Sequence, residues 1–136
     1  LAKKAVGYSK SDIQMIELSG YSRTEVRNLL NAVDFLLMTS ISEGSPQIIK
    51  EAMACNCPIV TTDVGDVRKI IGPTVGCFIT SYSPRDIGQN MDKVIQIGKR
   101  TNGRKRMKQL GYDLESVGRE VLSIYHTMLP HESYSS

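Results

Sequence analysis

The segment from Gly44 to Pro46 could bind an anion, because it predicts a glycine-containing loop that leads directly into a helix. Serine is favoured at the N-cap and proline at the first helical position, so we expect a helix that begins at Pro46 with Ser45 as its cap. The positive end of such a helix attracts phosphate by about 0.3–1 kcal/mol when exposed. Most helix N-termini bind nothing, so this feature alone leaves the function open. The amides expected to lack intrahelical partners are those of Gln47, Ile48 and Ile49.

Two carboxylates, Glu43 and Glu51, flank this helix start. Glu43 precedes the helix, and Glu51 lies roughly 7 to 8 Å along its axis from Pro46, with a side chain that leans towards the N-terminus. Carboxylates accept hydrogen bonds from sugar hydroxyls, and the neighbouring amides could hold a diphosphate. The alternative is an ordinary loop acid and a solvated helix residue, and the spacing of two acids does not exclude it.

Four short apolar segments predict the strands that must position these residues. They are residues 13–18, 35–38, 59–62 and 77–80. Strands that alternate with helices at this pitch indicate an α/β fold, with a parallel Rossmann-like sheet of about four strands and flanking helices. Ligands of parallel sheets bind outside the carboxyl ends of the strands, which is where residues 39–46 lie.

Helical patterns fill the gaps between the strands. A capping-box pair, Ser22 and Glu25, precedes an apolar stripe, and a short helix is expected over residues 66–71. Pro84 opens a longer helix, and a basic stretch after residue 103 ends near residue 111. Asp113 is a plausible cap for a final helix that continues to about residue 129. The stripe of the first helix consists of Val26, Leu29, Leu30 and Val33.

Length and composition indicate one soluble, non-secreted domain over residues 1–130, followed by a disordered tail at residues 131–136. The 136 residues include 40% apolar and 23% charged residues, which argues against wholesale disorder. No apolar run approaches the roughly 20 residues that cross a bilayer. The formal charge of +3 is too small to indicate nucleic acid. Three cysteines lack zinc-site spacing, so we expect reduced thiols at Cys55, Cys57 and Cys77.

Residues 42–66, SEGSPQIIKEAMACNCPIVTTDVGD, resemble the signature of the retaining, nucleotide-sugar-dependent group 1 glycosyltransferases of GT-B architecture. The family motif has two Glu separated by seven residues, then an A-x-G-x-P segment, a strand and a T-D-x-G turn. Asn56 replaces the common Gly of A-x-G-x-P, and Asp66 stands where a second Gly is frequent. The matching positions are Glu43, Gly44, Pro46, Glu51, Ala52, Met53, Ala54, Pro58, Ile59, Val60, Thr62, Asp63 and Gly65.

The resemblance implies a role for each matching residue. Glu43 would be the catalytic residue, placed against the transferred sugar, and Glu51 would hydrogen-bond the ribose of the nucleotide. The implied reaction moves a hexose from a UDP- or GDP-sugar to a hydroxyl acceptor with retention, without a metal ion or another cofactor. The residues implied to face the sugar and diphosphate, besides Glu51, are Gly44, Ser45, Pro46, Gln47 and Ile48.

The resemblance also implies partners outside this sequence. Family members have an N-terminal acceptor domain and a basic pair that neutralises the diphosphate, and neither precedes Leu1. We therefore expect the chain to be the later part of a donor domain, inactive by itself. The alternative is a non-catalytic α/β ligand-binding or interaction module that keeps the fold without the chemistry.

A basic cluster near the C-terminal end could contact RNA or an anionic membrane surface. No aromatic residues interleave with it, so a solvated helix face or turn is the favoured interpretation and no nucleic-acid partner is expected. The resemblance implies a cytoplasmic protein, with a peripheral contact at the inner membrane face if the acceptor is lipid-linked. The cluster comprises Lys99, Arg100, Arg104, Lys105, Arg106 and Lys108.

Overall fold

The computed structural model describes residues 1–113, 115, 118, 119 and 121–124, and it confirms the α/β class. Helices and strands alternate along most of this part of the chain. The helices are α1 (Ala2–Val6), α2 (Arg23–Ala32), α3 (Gln47–Ala54), α4 (Val67–Ile71), α5 (Pro84–Ile97) and α6 (Gly103–Gln109), and the strands are β1 (Leu36–Met38), β2 (Ile59–Thr62) and β3 (Cys77–Thr80).

The three strands form one parallel sheet in the order β1-β2-β3. Leu36 pairs with Ile59, and Thr62 pairs with Thr80. Because the strands are parallel, their carboxyl ends lie at the same edge of the sheet. We call the three loops that leave this edge, residues 39–46, 63–66 and 81–83, the carboxyl-edge loops.

Apolar side chains cover both faces of the sheet. One cluster joins α2, α3, α4 and α6 to the sheet, and the other joins α1 and α5 to its opposite face. Both clusters are largely aliphatic, and the packed sheet and helices support the carboxyl-edge loops. Fully buried members include Ile49, Met53 and Ile70 in the first cluster, and Val60, Ile87 and Met91 in the second.

The expected strand at residues 13–18 is not formed, so the described sheet has three strands rather than about four. Met15 and Ile16 are 45% and 49% exposed, and only Ile13 packs against a core cluster. An apolar run becomes a strand only when its backbone pairs with a neighbour. In the described part of the chain, β1 pairs with β2 alone, and residues 13–18 stay unpaired beside the sheet.

The capping box at the start of α2 is confirmed in both directions. The Ser22 hydroxyl accepts a hydrogen bond from the Glu25 amide at 3.2 Å, and the Glu25 carboxylate accepts one from the Ser22 amide at 2.6 Å. The basic stretch after residue 103 forms α6. Within the predicted final helix, the described residues 115, 118, 119 and 121–124 are helical, and its remaining positions after residue 113 lie outside the described residues. The predicted tail at residues 131–136 lies wholly outside them.

Asp92 on α5 fastens the N-terminal segment. Its carboxylate accepts hydrogen bonds from the hydroxyls of Ser9 and Ser11 at 2.6 and 3.1 Å and from the Lys10 amide at 3.0 Å. The bond from Ser9 is the main cause that holds the pKa of Asp92 below its usual range. This contact holds the segment after α1 against α5.

Candidate functional site

The first two carboxyl-edge loops meet backbone to backbone at Gly65. This glycine has a φ of 53°, and a Cβ placed on it would lie 2.6 Å from the carbonyl oxygen of Glu43 and closer still to that of Gly44. Only a residue without a side chain allows this approach. The T-D-x-G turn therefore supports the loop that carries Glu43.

Ser40 connects that loop to the other two strands. Its carbonyl oxygen accepts a hydrogen bond from the buried Thr62 hydroxyl at 2.6 Å and another from the Tyr82 hydroxyl at 3.2 Å. Its own hydroxyl donates to Oε1 of Glu43 at 3.2 Å. Residues from β2 and from the loop after β3 therefore contact the residue that bonds to Glu43.

Ser45 does not cap the helix that follows it. Its hydroxyl donates to Oδ2 of Asp66 at 2.7 Å, and Pro46, with ψ at 116°, occupies the N-cap position. The helix begins one residue later than predicted, because a serine before a proline can bond across to a neighbouring loop instead of to its own helix. Oδ1 of Asp66 is buried without a hydrogen-bond partner in the described part of the chain.

The N-terminus of α3 keeps a positive end towards the carboxyl edge. No described side chain caps it, although the Ile49 amide donates to the Pro46 carbonyl at 3.2 Å, so Ile49 is not the open amide that the sequence predicts. At the opposite end, Arg100 and Arg104 donate to the carbonyls of Cys55 and Ala54. Two cations therefore complement the negative pole of α3, while its positive pole has no acidic residue in the first turn.

The predicted site residues lie in and directly after the first carboxyl-edge loop. Glu43, Gly44, Ser45 and Gln47 are exposed, Pro46 is buried, and Ile48 and Glu51 are partly buried. The Ile48 side chain packs against the first core cluster, which leaves its backbone as the part that could serve a ligand. Glu43 is brought into contact with Ser40. A shared ligand between Glu43 and Glu51 stays a prediction.

Three arginines of the basic cluster have structural roles. Arg100 donates to the carbonyls of Leu30 and Val33 at the end of α2, at 2.7 and 2.9 Å, as well as to that of Cys55. Arg106 donates to the carbonyl of Lys69 in α4 at 2.8 Å. Cationic side chains at helix C-termini satisfy carbonyls that lack intrahelical partners. These arginines therefore hold helix ends together.

The three cysteines are free thiols. Burial raises the pKa of Cys57 to about 11 and that of Cys77 to about 12, so both stay protonated near neutral pH. Across the described residues, no group of three or more His, Cys, Asp or Glu side chains could hold a metal ion. None of the helices described is both long enough and apolar enough to cross a membrane.

The support of the loop at Ser40 by Thr62 and Tyr82 was not predicted from the sequence. The hydroxyl of Tyr82 bonds to Ser40, which is 42 residues earlier in the chain, and no local sequence pattern predicts such a contact. The one available signal is position, since Thr62 ends β2 and Tyr82 follows β3 at the edge where ligands of parallel sheets bind.

Comparisons with known proteins find similarity along most of the chain. The profile of the family described as Glycosyl transferases group 1 matches residues 10–113. A putative teichuronic acid biosynthesis glycosyltransferase, TuaC of Bacillus subtilis, is 42% identical over 48 residues, which is 35% of this chain and 12% of that protein. No solved structure matches the chain significantly.

Two further relatives extend the similarity over more of the chain. The uncharacterized glycosyltransferase MJ1178 of Methanocaldococcus jannaschii is 30% identical over 104 residues, or 75% of this chain and 29% of that protein. The phosphatidylinositol N-acetylglucosaminyltransferase GPI3 subunit of Saccharomyces cerevisiae is 31% identical over 80 residues, or 59% of this chain and 18% of that protein. The chain thus spans less than a third of the length of each relative.

Proposed function

Because this chain belongs to the group 1 glycosyltransferase family, we propose that its carboxyl edge forms part of the nucleotide-sugar site of a retaining hexosyltransferase. The donor is a UDP- or GDP-sugar and the acceptor is a hydroxyl group. The observation that carries the proposal is the uncapped start of α3, which follows the loop of Glu43 within the matched region.

The start of α3 supplies the diphosphate contact. Gln47 and Ile48 begin a helix whose C-terminal carbonyls accept hydrogen bonds from arginines and whose N-terminus is capped by no side chain among the described residues. A phosphate at the positive end receives backbone hydrogen bonds and a favourable dipole. Because Pro46 has no amide proton, Gln47 and Ile48 are the first donors available.

Glu43 is the residue proposed to contact the transferred sugar. It precedes the helix start, and its carboxylate is oriented by the Ser40 hydroxyl. A carboxylate there can accept hydrogen bonds from sugar hydroxyls. It can also stabilise the positive charge that develops on the sugar as its bond to the diphosphate breaks. Glu51, in the second turn of α3, is proposed to accept a ribose hydroxyl.

The remaining parts of the reaction belong to the complete enzyme. An acceptor domain and a basic pair that neutralises the leaving diphosphate are proposed to lie elsewhere in the natural protein, since the relatives are more than three times as long as the matched segments. Aligning the acceptor and stabilising the leaving group both contribute to the rate, so this segment alone is expected to bind weakly and to transfer nothing. We place the enzyme in the cytoplasm, with membrane contact only for a lipid-linked acceptor.

The experiment uses the natural full-length protein with UDP- and GDP-hexoses. We expect release of UDP or GDP, transfer in the presence of EDTA, and a product whose anomeric configuration by NMR equals that of the donor. Glu43→Gln should reduce turnover by at least 100-fold. Glu115→Gln is the matched control, because Glu115 is exposed and pairs with Arg119 at the surface.

Other results would contradict the proposal. Equal turnover in Glu43→Gln and Glu115→Gln would remove Glu43 from the site. Nucleotide-sugar binding without transfer to any acceptor would instead favour the non-catalytic module. An inverted product would refute retention while leaving the location of the donor site intact.

A further inference from the structure

Tyr82 contacts the loop of Glu43 from the neighbouring carboxyl-edge loop. It follows β3 by two residues, and its side chain is 45% exposed. Its hydroxyl lies 3.2 Å from the carbonyl oxygen of Ser40 and 3.3 Å from that of Ile41. The ring thus spans two loops and places its one donor between two backbone acceptors.

Ser40 transmits this contact to Glu43. Its carbonyl oxygen accepts hydrogen bonds from the hydroxyls of Tyr82 and the buried Thr62, and its own hydroxyl donates to Oε1 of Glu43 at 3.2 Å. One residue is therefore fixed by two neighbouring strands and in turn orients the carboxylate. Loss of the Tyr82 hydroxyl would leave Thr62 as the remaining donor to that carbonyl among the contacts described here.

The loop has little apolar burial of its own. Residues 41–45 are all exposed, and Ile41 at its outer turn is 83% exposed. A loop with few buried contacts is positioned by its hydrogen bonds and by close backbone packing. The described attachments are those from Thr62 and Tyr82, the bond from Ser45 to Asp66, and the approach of Gly65.

We propose that Tyr82 is a positioning residue of the transfer reaction, holding the loop of residues 39–46 through Ser40 so that Glu43 keeps one orientation towards the sugar. This inference rests on the proposed function, because it assigns Tyr82 a role only through Glu43. Misplacement of a reacting group by about 1 Å can cost about 100-fold in rate. A single lost hydrogen bond shifts the loop less, so the expected effect is smaller.

The test removes only the hydroxyl group. In the full-length protein, Tyr82→Phe should lower kcat by about 3- to 10-fold, the range expected for one hydrogen bond. The KM for the nucleotide sugar should change by less than about 2-fold, since the phosphate contacts on α3 are untouched. Tyr8→Phe is the matched control, because Tyr8 is also exposed and lies on the segment packed against α5.

A double-mutant cycle separates positioning from general stability. Ser40→Ala removes the hydroxyl that orients Glu43, so Tyr82→Phe should cost less in that background than alone. Equal kcat in Tyr82→Phe and Tyr8→Phe would overturn the inference, and so would strictly multiplicative effects with Ser40→Ala. A raised KM at unchanged kcat would also overturn it and make Tyr82 a ligand contact.

Failure of the inference can be told apart from failure of the proposed function. If Glu43→Gln abolishes turnover but Tyr82→Phe has no effect, the proposed function stands and the positioning role of Tyr82 falls. If Glu43→Gln has no effect, the proposed function fails and the role of Tyr82 fails with it.

Discussion

Substitution of Gly65 by alanine tests whether the close approach of two backbones positions Glu43. At a φ of 53°, a side chain costs about 1–2 kcal/mol for backbone conformation alone. The new Cβ would also lie 2.6 Å from the Glu43 carbonyl oxygen and nearer to that of Gly44. Nonbonded carbon and carbonyl oxygen approach to about 3.3 Å, so the loops must separate by roughly 1 Å.

The expected result combines a loss of stability with a loss of activity. Strain from overpacking adds about 1–3 kcal/mol to the conformational cost, so the free energy of unfolding should fall by about 2–5 kcal/mol. Displacement of the Glu43 loop by roughly 1 Å should lower turnover by about 100-fold. Urea denaturation measures the first quantity, and turnover at a temperature where the variant is fully folded measures the second.

Gly98→Ala is the matched control. Gly98 has a φ of 60°, but a Cβ there would meet the carbonyl oxygens of Ile95 and Gln96 at 3.5 and 4.0 Å, which are ordinary van der Waals contacts. It should therefore lose about 1–2 kcal/mol of stability and keep full turnover. If the two alanine variants were equal in stability and in turnover, the backbone contact would not position the catalytic loop.

Three further predictions concern the scaffold. Arg100→Lys removes the guanidinium group that contacts three carbonyls and should reduce the free energy of unfolding by about 2 kcal/mol. The control Lys99→Arg should change the free energy of unfolding by less than about 0.5 kcal/mol. Equal unfolding free energies for the two variants in urea titration would contradict the role of Arg100. Burial raises the pKa of Cys57 from 9.0 to about 11, so stability should fall as pH rises through this interval, and Cys57→Ala should flatten that slope. Asp92, with its lowered pKa, stabilises the fold above pH 3.8 and loses this contribution as pH falls, so Asp92→Asn should flatten the acid limb; an unchanged limb in acid titration would refute the anchoring role.

The strands that have apolar clusters on both faces could be predicted from the sequence. The expected segments at 59–62 and 77–80 coincide with β2 and β3, because short apolar runs between helices have few alternatives to a buried parallel strand. Residues 13–18 carry a similar apolar run but form no strand. An apolar run shows that a segment can be buried, but not that a neighbouring strand is available to pair with its backbone. The strand prediction failed at residues 13–18 for this reason.

The candidate site was predictable to the extent that its chemistry is local. The start of α3 lies one residue from its expected position, since glycine, proline and the apolar spacing all act within a turn. The Ser45 hydroxyl bonds to Asp66, which lies 21 positions away, instead of capping its own helix. The contact of Tyr82 with Ser40 spans 42 positions. These two contacts form because the strands pack side by side, and a single sequence does not show which loops that packing brings together.

The most direct test of the central claim observes the amides at the start of α3. In the full-length protein labelled with ¹⁵N-glutamine and ¹⁵N-isoleucine, titration with UDP and GDP should shift the amide resonances of Gln47 and Ile48 downfield, as expected for bonds to phosphate. Uridine and guanosine, which lack the diphosphate, should leave both resonances in place. Saturable nucleotide binding that leaves the Gln47 and Ile48 resonances unmoved would contradict the account.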